Sequence, residues 1–251
     1  MHVAISAPRH QRAGRRRAVV RVGPADDGRS MSLKRFSRAE VVPGYLYELA
    51  SGVIEVSDLP DITHHRTVRQ LNKAITAYDL AHPGVIMSVG GGGEAKIEMP
   101  RRQSERPPDI SIYLTPPPEG VDQPWDQWIP DIVIEVVSAT SAKRDYEVKP
   151  SDYHAAGVRE YWIIDPRTRS GLFLVRRADS WSEHKLGARG KWRSSLLPGF
   201  TLDLSRSARA SKRPLAHATH SDGYASRTPT WPECLRRRPA RGEPGSFSYL
   251  R

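Results

Sequence analysis

The segment Asp131-Ile132-Val133-Ile134-Glu135-Val136-Val137 sets a carboxylate inside an almost continuously apolar run. A run this short and this rich in β-branched residues reads as a central strand covered on both faces. Tyr161-Trp162-Ile163-Ile164 is a second such run, closed by Asp165-Pro166. A helical stretch through roughly residues 151–156, which can begin earlier, lies between them. Two apolar strands joined by a helix make a βαβ crossover, so these two strands are expected to be parallel. A carboxylate in such a strand must be paired, metal-bound or protonated.

The neighbouring sequence fits an α/β domain with a mixed sheet flanked by helices. Tyr45 to Leu49 and Val53 to Val56 read as a hairpin around Ser51-Gly52. Thr63 can cap a helix whose apolar stripe is Val68, Leu71, Ile75 and Tyr78, stopped by His82-Pro83-Gly84. Short strands are expected at 85–89 and 94–99, with Gly90 to Gly93 as a floppy hairpin tip between them. Asp109 to Leu114 alternates, which puts Asp109, Ser111 and Tyr113 on one face and Ile110, Ile112 and Leu114 on the other. Further strands are expected at 172–175, 181–186 and 200–204.

Charge divides the chain more sharply than its average suggests. The whole sequence carries 39 Lys and Arg against 28 Asp and Glu, a net +11. Residues 1–39 hold ten Lys/Arg and two Asp (+8), and residues 206–251 hold ten and three (+7), leaving −4 for residues 40–205. The aliphatic runs lie almost wholly in that middle, which is read as one domain. The two basic segments bury too little apolar surface to offset chain entropy and are read as disordered tails. They supply non-specific attraction for phosphate or have no role. Cys234 is the single cysteine, which excludes an internal disulfide and a cysteine-based zinc site. No run approaches the roughly 18 apolar residues of a membrane span, and the basic N-terminus lacks a signal-peptide core. A cytoplasmic protein is therefore expected.

If the Asp109 and Glu135 strands are neighbours, their carboxylates can converge on one divalent cation. Two carboxylates suit Mg2+ or Mn2+, which take oxygen ligands and keep several waters. The alternative is an Arg or Lys partner for Glu135 with no metal. Lys149, fourteen residues on, can fold back over the strand ends and offset charge on a phosphoryl group. It can equally form an i,i+4 surface pair with Asp145. Arg101, Arg102 and Arg106, just before Pro107-Pro108, either contact phosphates or form a solvated loop. Trp125 and Trp128 either stack on bases or cover a sheet edge. Pro150 disfavours helical backbone at Lys149, which puts that lysine on a loop.

Four stretches together resemble the Uma2 family of endonucleases, whose fold is of the restriction-endonuclease-like PD-(D/E)XK type. They are Tyr47-Glu48-Leu49-Ala50-Ser51-Gly52, Pro108-Asp109-Ile110-Ser111-Ile112, and Pro130-Asp131-Ile132-Val133-Ile134-Glu135-Val136-Val137-Ser138. The fourth runs from Asp145 through Lys149 and Tyr153 to Gly157-Val158-Arg159-Glu160-Tyr161-Trp162-Ile163-Ile164-Asp165-Pro166. The likeness covers Tyr45 to about Leu204. It implies metal ligation by Asp109 and Glu135, with Lys149 as the catalytic lysine, moved to the following helix because Val137 stands two residues after the acid. It implies that Glu48 reaches the metal through water and that His64 or His65 approaches the substrate phosphate. The implied activity is Mg2+- or Mn2+-dependent hydrolysis of DNA phosphodiester bonds, with DNA as partner, no membrane, and a homodimer by analogy. The competing readings are a nucleic-acid-binding module of the same fold with a decayed site, and an interaction domain whose Glu135 pairs internally.

Overall fold

The computed structural model describes residues 19–207. In chain order these form β1 (Arg21–Val22), α1 (Leu33–Phe36), β2 (Glu40–Val41), β3 (Tyr45–Ala50), β4 (Val53–Asp58) and α2 (Ile62–Ala81). Next come β5 (Ser88–Gly90), β6 (Ile97–Met99), β7 (Ser104–Arg106), β8 (Ile110–Tyr113) and β9 (Ile132–Val136). The chain continues through α3 (Lys149–Ala156), β10 (Glu160–Asp165), β11 (Ser170–Arg176), β12 (Trp181–Leu186), β13 (Lys191–Trp192), β14 (Leu202–Asp203) and α4 (Leu204–Ser207).

The central sheet has the order β12-β11-β10-β9-β8-β5. β9 and β10 are parallel, with Ile134 opposite Trp162, as the crossover requires. β8 runs antiparallel to β9 and pairs Ile110 with Ile134. Alternation along β9 then decides what each face meets. Ile132, Ile134 and Val136 join the core under α2, with Leu71, Ile75, Tyr78, Ile110, Ile112 and Trp162. Val133 and Val137 join the core under α3, with Tyr153, Val158, Tyr161 and Ile163. Glu135 belongs to that second face.

The hairpin β3–β4 turns through Ser51 and Gly52, both at positive φ, the geometry that a two-residue turn between twisted strands demands. It belongs to a second sheet of order β4-β3-β7-β6. The cap of α2 is Asp61 rather than Thr63: its carboxylate accepts the amide of His64 at 2.9 Å. Strand β7 stands where three Arg and two Pro close together suggest a solvated loop, yet its three residues are buried.

The expected N-terminal tail needs correction. Residues 19–39 contain β1 and α1, and Val22, Met31, Leu33 and Phe36 are buried with Tyr47, Leu49 and Ile54 of the hairpin. Their apolar residues are spaced too irregularly to show a period, and the Arg-rich stretch before them dominates the composition. Residues 1–18 and 208–251, the rest of the two expected tails, lie outside the described residues. No helix among the described residues is long and apolar enough to cross a membrane.

Phe36 tests whether this segment is part of the fold. Phe36→Ala is expected to lower the unfolding free energy by about 3 kcal/mol in urea denaturation, the cost of an emptied core position. A loss well below 1 kcal/mol would place the segment outside the cooperative unit.

Candidate active site

Extending the β8–β9 register by one residue puts Asp109 opposite Glu135. Both line a cleft of about 310 Å3 together with Glu48, His64, Arg144, Asp145 and Lys149. The expected convergence of the two strand acids is therefore present, and its geometry is held from several elements.

Asp109 Oδ2 accepts the backbone amide of Val136 at 2.7 Å and lies 2.9 Å from His64 Nε2. His64 sits in the first turn of α2, so the helix start delivers it to the carboxylate. Of the two histidines expected near the substrate phosphate, His64 lies in the cleft with its Nε2 on Asp109, while His65 is exposed. The Gly90 to Gly93 stretch is also not a floppy tip. A Cβ on Gly91, at φ +153°, would lie 2.1 Å from the carbonyl oxygen of Asp109, so only glycine lets the backbone pass this close.

Glu135 is buried, and its Oε1 takes two donors: Lys149 Nζ at 2.9 Å and the Tyr153 hydroxyl at 2.5 Å. Lys149 and Tyr153 are four residues apart on α3 and share one helix face. That spacing was the signal that could have nominated Tyr153. Lys149 also lies 3.2 Å from Glu48 Oε1 and 3.1 Å from Asp145 Oδ1. The pairing with Asp145 is thus real but buried, not a surface pair. Pro150 does not push Lys149 onto a loop. Lys149 has helical backbone (φ −60°, ψ −32°) and begins α3, directly after a π-helical turn over Arg144–Val148. The proline falls in the first turn of α3, where its missing N–H costs little.

Glu48 is likewise committed. Its Oε1 faces Lys149, and its Oε2 accepts Arg106 Nη1 at 2.7 Å. Both of its oxygens thus face cations of the fold, and one of them holds Lys149. Arg106, read as a phosphate contact or a solvated residue, is neither. It is fully buried on β7 and pairs with Glu48, Glu55 and Asp152. Arg102 is engaged with Ser151 and Asp152 outside the cleft, and Arg101 is exposed outside it. Trp128 stacks on Tyr113 with ring centroids 3.9 Å apart, which favours its covering role over base stacking.

Burial and charge act on these groups in opposite directions. Burial pushes the Glu135 carboxyl up to about 8, and Asp109, Asp145 and Glu48 push the same way against Lys149. Burial also pushes Asp145 up. Burial would raise Glu48 too, yet Lys149, Arg106 and Arg144 hold it below the usual glutamate value. Burial alone would lower Lys149, but Glu135, Glu48 and Asp145 raise it well above the ordinary lysine value. Lys149 is a fixed cation here.

Among the described residues, no three His, Cys, Asp or Glu side chains form a ready metal cage. Lys149 Nζ fills the space between Glu48, Glu135 and Asp145. On the two strand acids, the oxygens that no hydrogen bond from the described residues reaches are Asp109 Oδ1 and Glu135 Oε2. Both are of the kind that suits a hard cation.

A family model named Uma2 and described as "Putative restriction endonuclease" matches residues 33–205. The chain belongs to the Uma2 family. Its fold is also that of a solved structure, described as a "putative nuclease belonging to DUF820" from Anabaena variabilis. The two share 16% identity at a TM-score of 0.58, over 72% of this chain and 98% of that one. No curated protein matches the chain. The Uma2 match begins at the first residue of α1, in keeping with the burial of Leu33 and Phe36. It spans every residue of the Asp109–Glu135 cleft.

Arg106 carries a direct prediction for this Uma2 site. Arg106→Met would leave the buried Glu48 and Asp152, and the half-buried Glu55, without their shared cation. Breaking a buried ionic group in this way costs about 3–5 kcal/mol, measurable by urea denaturation. A variant as stable as the wild type would show that the three acids do not need it.

Proposed function

We propose that this chain is a divalent-metal-dependent endonuclease that hydrolyses DNA phosphodiester bonds. One observation carries the reading: Asp109 and Glu135 stand opposite each other on adjacent strands, in an open cleft, each with one carboxylate oxygen unclaimed. The donor set fits the group it would hold. Two carboxylate oxygens suit Mg2+ or Mn2+, and the rest of the coordination shell would be water. When bound, such an ion lowers the pKa of a coordinated water and offsets charge on a phosphoryl group.

The chain's own residues prepare that site. The Val136 amide and His64 fix the Asp109 carboxylate through Oδ2 and leave its second oxygen without a hydrogen bond. Lys149 and Tyr153 do the same for Glu135. Burial keeps bulk water from screening these contacts, which strengthens each of them. The proton that burial favours on Glu135 must leave before that oxygen can ligate a cation, so alkaline conditions favour loading.

DNA as substrate rests on the family and on the phosphate chemistry of such a site. A dimer would offer one cleft to each strand of a duplex, so the reading extends to a homodimer, and it includes a cytoplasmic location. The inactive-module alternative drew on the displacement of Lys149 by Pro150, and the helical position of Lys149 removes that support.

Nicking of supercoiled plasmid DNA tests the reading. Wild type is expected to nick with Mg2+ or Mn2+ and to stop with EDTA. Asp109→Asn and Glu135→Gln are each expected to slow nicking by at least about 100-fold, as when a charge-stabilising group is lost. Equal rates in all three proteins would sink the assignment. Tight DNA binding without nicking would favour the inactive module.

A further inference from the structure

Three Lys or Arg side chains line the cleft, and two are already committed. Lys149 faces Glu135, Glu48 and Asp145, and an ammonium has only three N–H groups to give. Lys96 lies 2.9 Å from both Glu98 Oε1 and Glu105 Oε2. Arg144 is different. The one carboxylate oxygen near it, Glu48 Oε2, is 3.9 Å from its Nε, beyond hydrogen-bond reach. That oxygen already accepts Arg106 at 2.7 Å. The Nε of Arg144 is buried with no hydrogen-bond partner, and no hydrogen bond among the described residues reaches the rest of its guanidinium.

An unpaired buried donor costs free energy, and most such donors in folded proteins have partners. The π-helical turn over Arg144–Val148 places this donor at the cleft, and turns of this kind recur at functional positions. A guanidinium presents its N–H groups in a planar fork that matches two oxygens of one phosphate.

We propose that Arg144 is the phosphate-binding residue of the cleft, its fork engaging the non-bridging oxygens of the phosphodiester. This rests on the nuclease reading above. It moves the phosphate contact from Lys149, where the sequence placed it, to a residue five positions earlier. Lys149 is then a positioning residue that sets Glu135 and Glu48, with no donor left for substrate.

The test uses the full chain and a fluorescein-labelled DNA duplex, with Ca2+ for binding and Mg2+ for cleavage kinetics. Arg144→Ala is expected to raise Kd and KM by about tenfold or more, the loss of a charge-assisted hydrogen bond. Its thermal midpoint should fall little, because the one ion pair of Arg144 within the fold, to Glu48, is long at 3.9 Å. Arg144→Lys, which keeps the charge but not the fork, should recover only part of the binding. Lys185→Ala, which removes an equal charge from the exposed strand β12, should bind as wild type. Wild-type Kd and KM in Arg144→Ala, with the wild type cutting DNA, would overturn the proposal and leave the nuclease reading standing. A wild type that neither binds nor cuts the duplex would overturn both. Lost binding that tracks a fallen thermal midpoint in both Arg144 variants would assign Arg144 a structural role and overturn the proposal.

Discussion

Lys149 Nζ lies within 3.2 Å of Glu48, Glu135 and Asp145, and the cleft depends on that one buried cation. Three carboxylates this close would otherwise repel one another in a medium that screens them poorly. The lysine comes from α3, Glu135 from the central sheet and Glu48 from the hairpin sheet. A single ammonium therefore ties three elements together at the point where β8 and β9 bring Asp109 and Glu135 opposite each other.

Arg106 extends the same arrangement one layer further. It shares Glu48 with Lys149 and adds Glu55 and Asp152, so cations and acids alternate through the region between the two sheets. Buried ionic groups are weak sources of net stability, because desolvation cancels much of their attraction. Their value here is directional. They orient carboxylates that an apolar core could not, and one oxygen each on Asp109 and Glu135 is left without a hydrogen bond.

The sequence was most legible where chemistry and structure lie close along the chain. Glu135 stood out because its neighbours are apolar, and its strand could be paired with β10 through the crossover. Asp109 followed from alternation beside Pro108. The cleft's supporting contacts were less legible because they are long-range. Arg106 meets Glu48 across 58 residues, and nothing in the Arg- and Pro-rich stretch around it signals a buried strand. Gly91 looked like slack because its constraint is the backbone of Asp109, eighteen residues away. Lys149 is legible as a cation near the strand ends, but two of the three acids around it, Glu48 and Glu135, come from other elements. Residues 19–39 were lost to the average composition of the basic stretch before them.

The central claim is that Asp109 and Glu135 together hold a divalent cation while Lys149 stays with its acids. Anomalous diffraction from crystals soaked in Mn2+ tests it most directly. A single strong peak contacting both Asp109 and Glu135, with Lys149 still beside Glu135, is the expected result. A map with no peak there, or with Mn2+ bound only elsewhere, would contradict it.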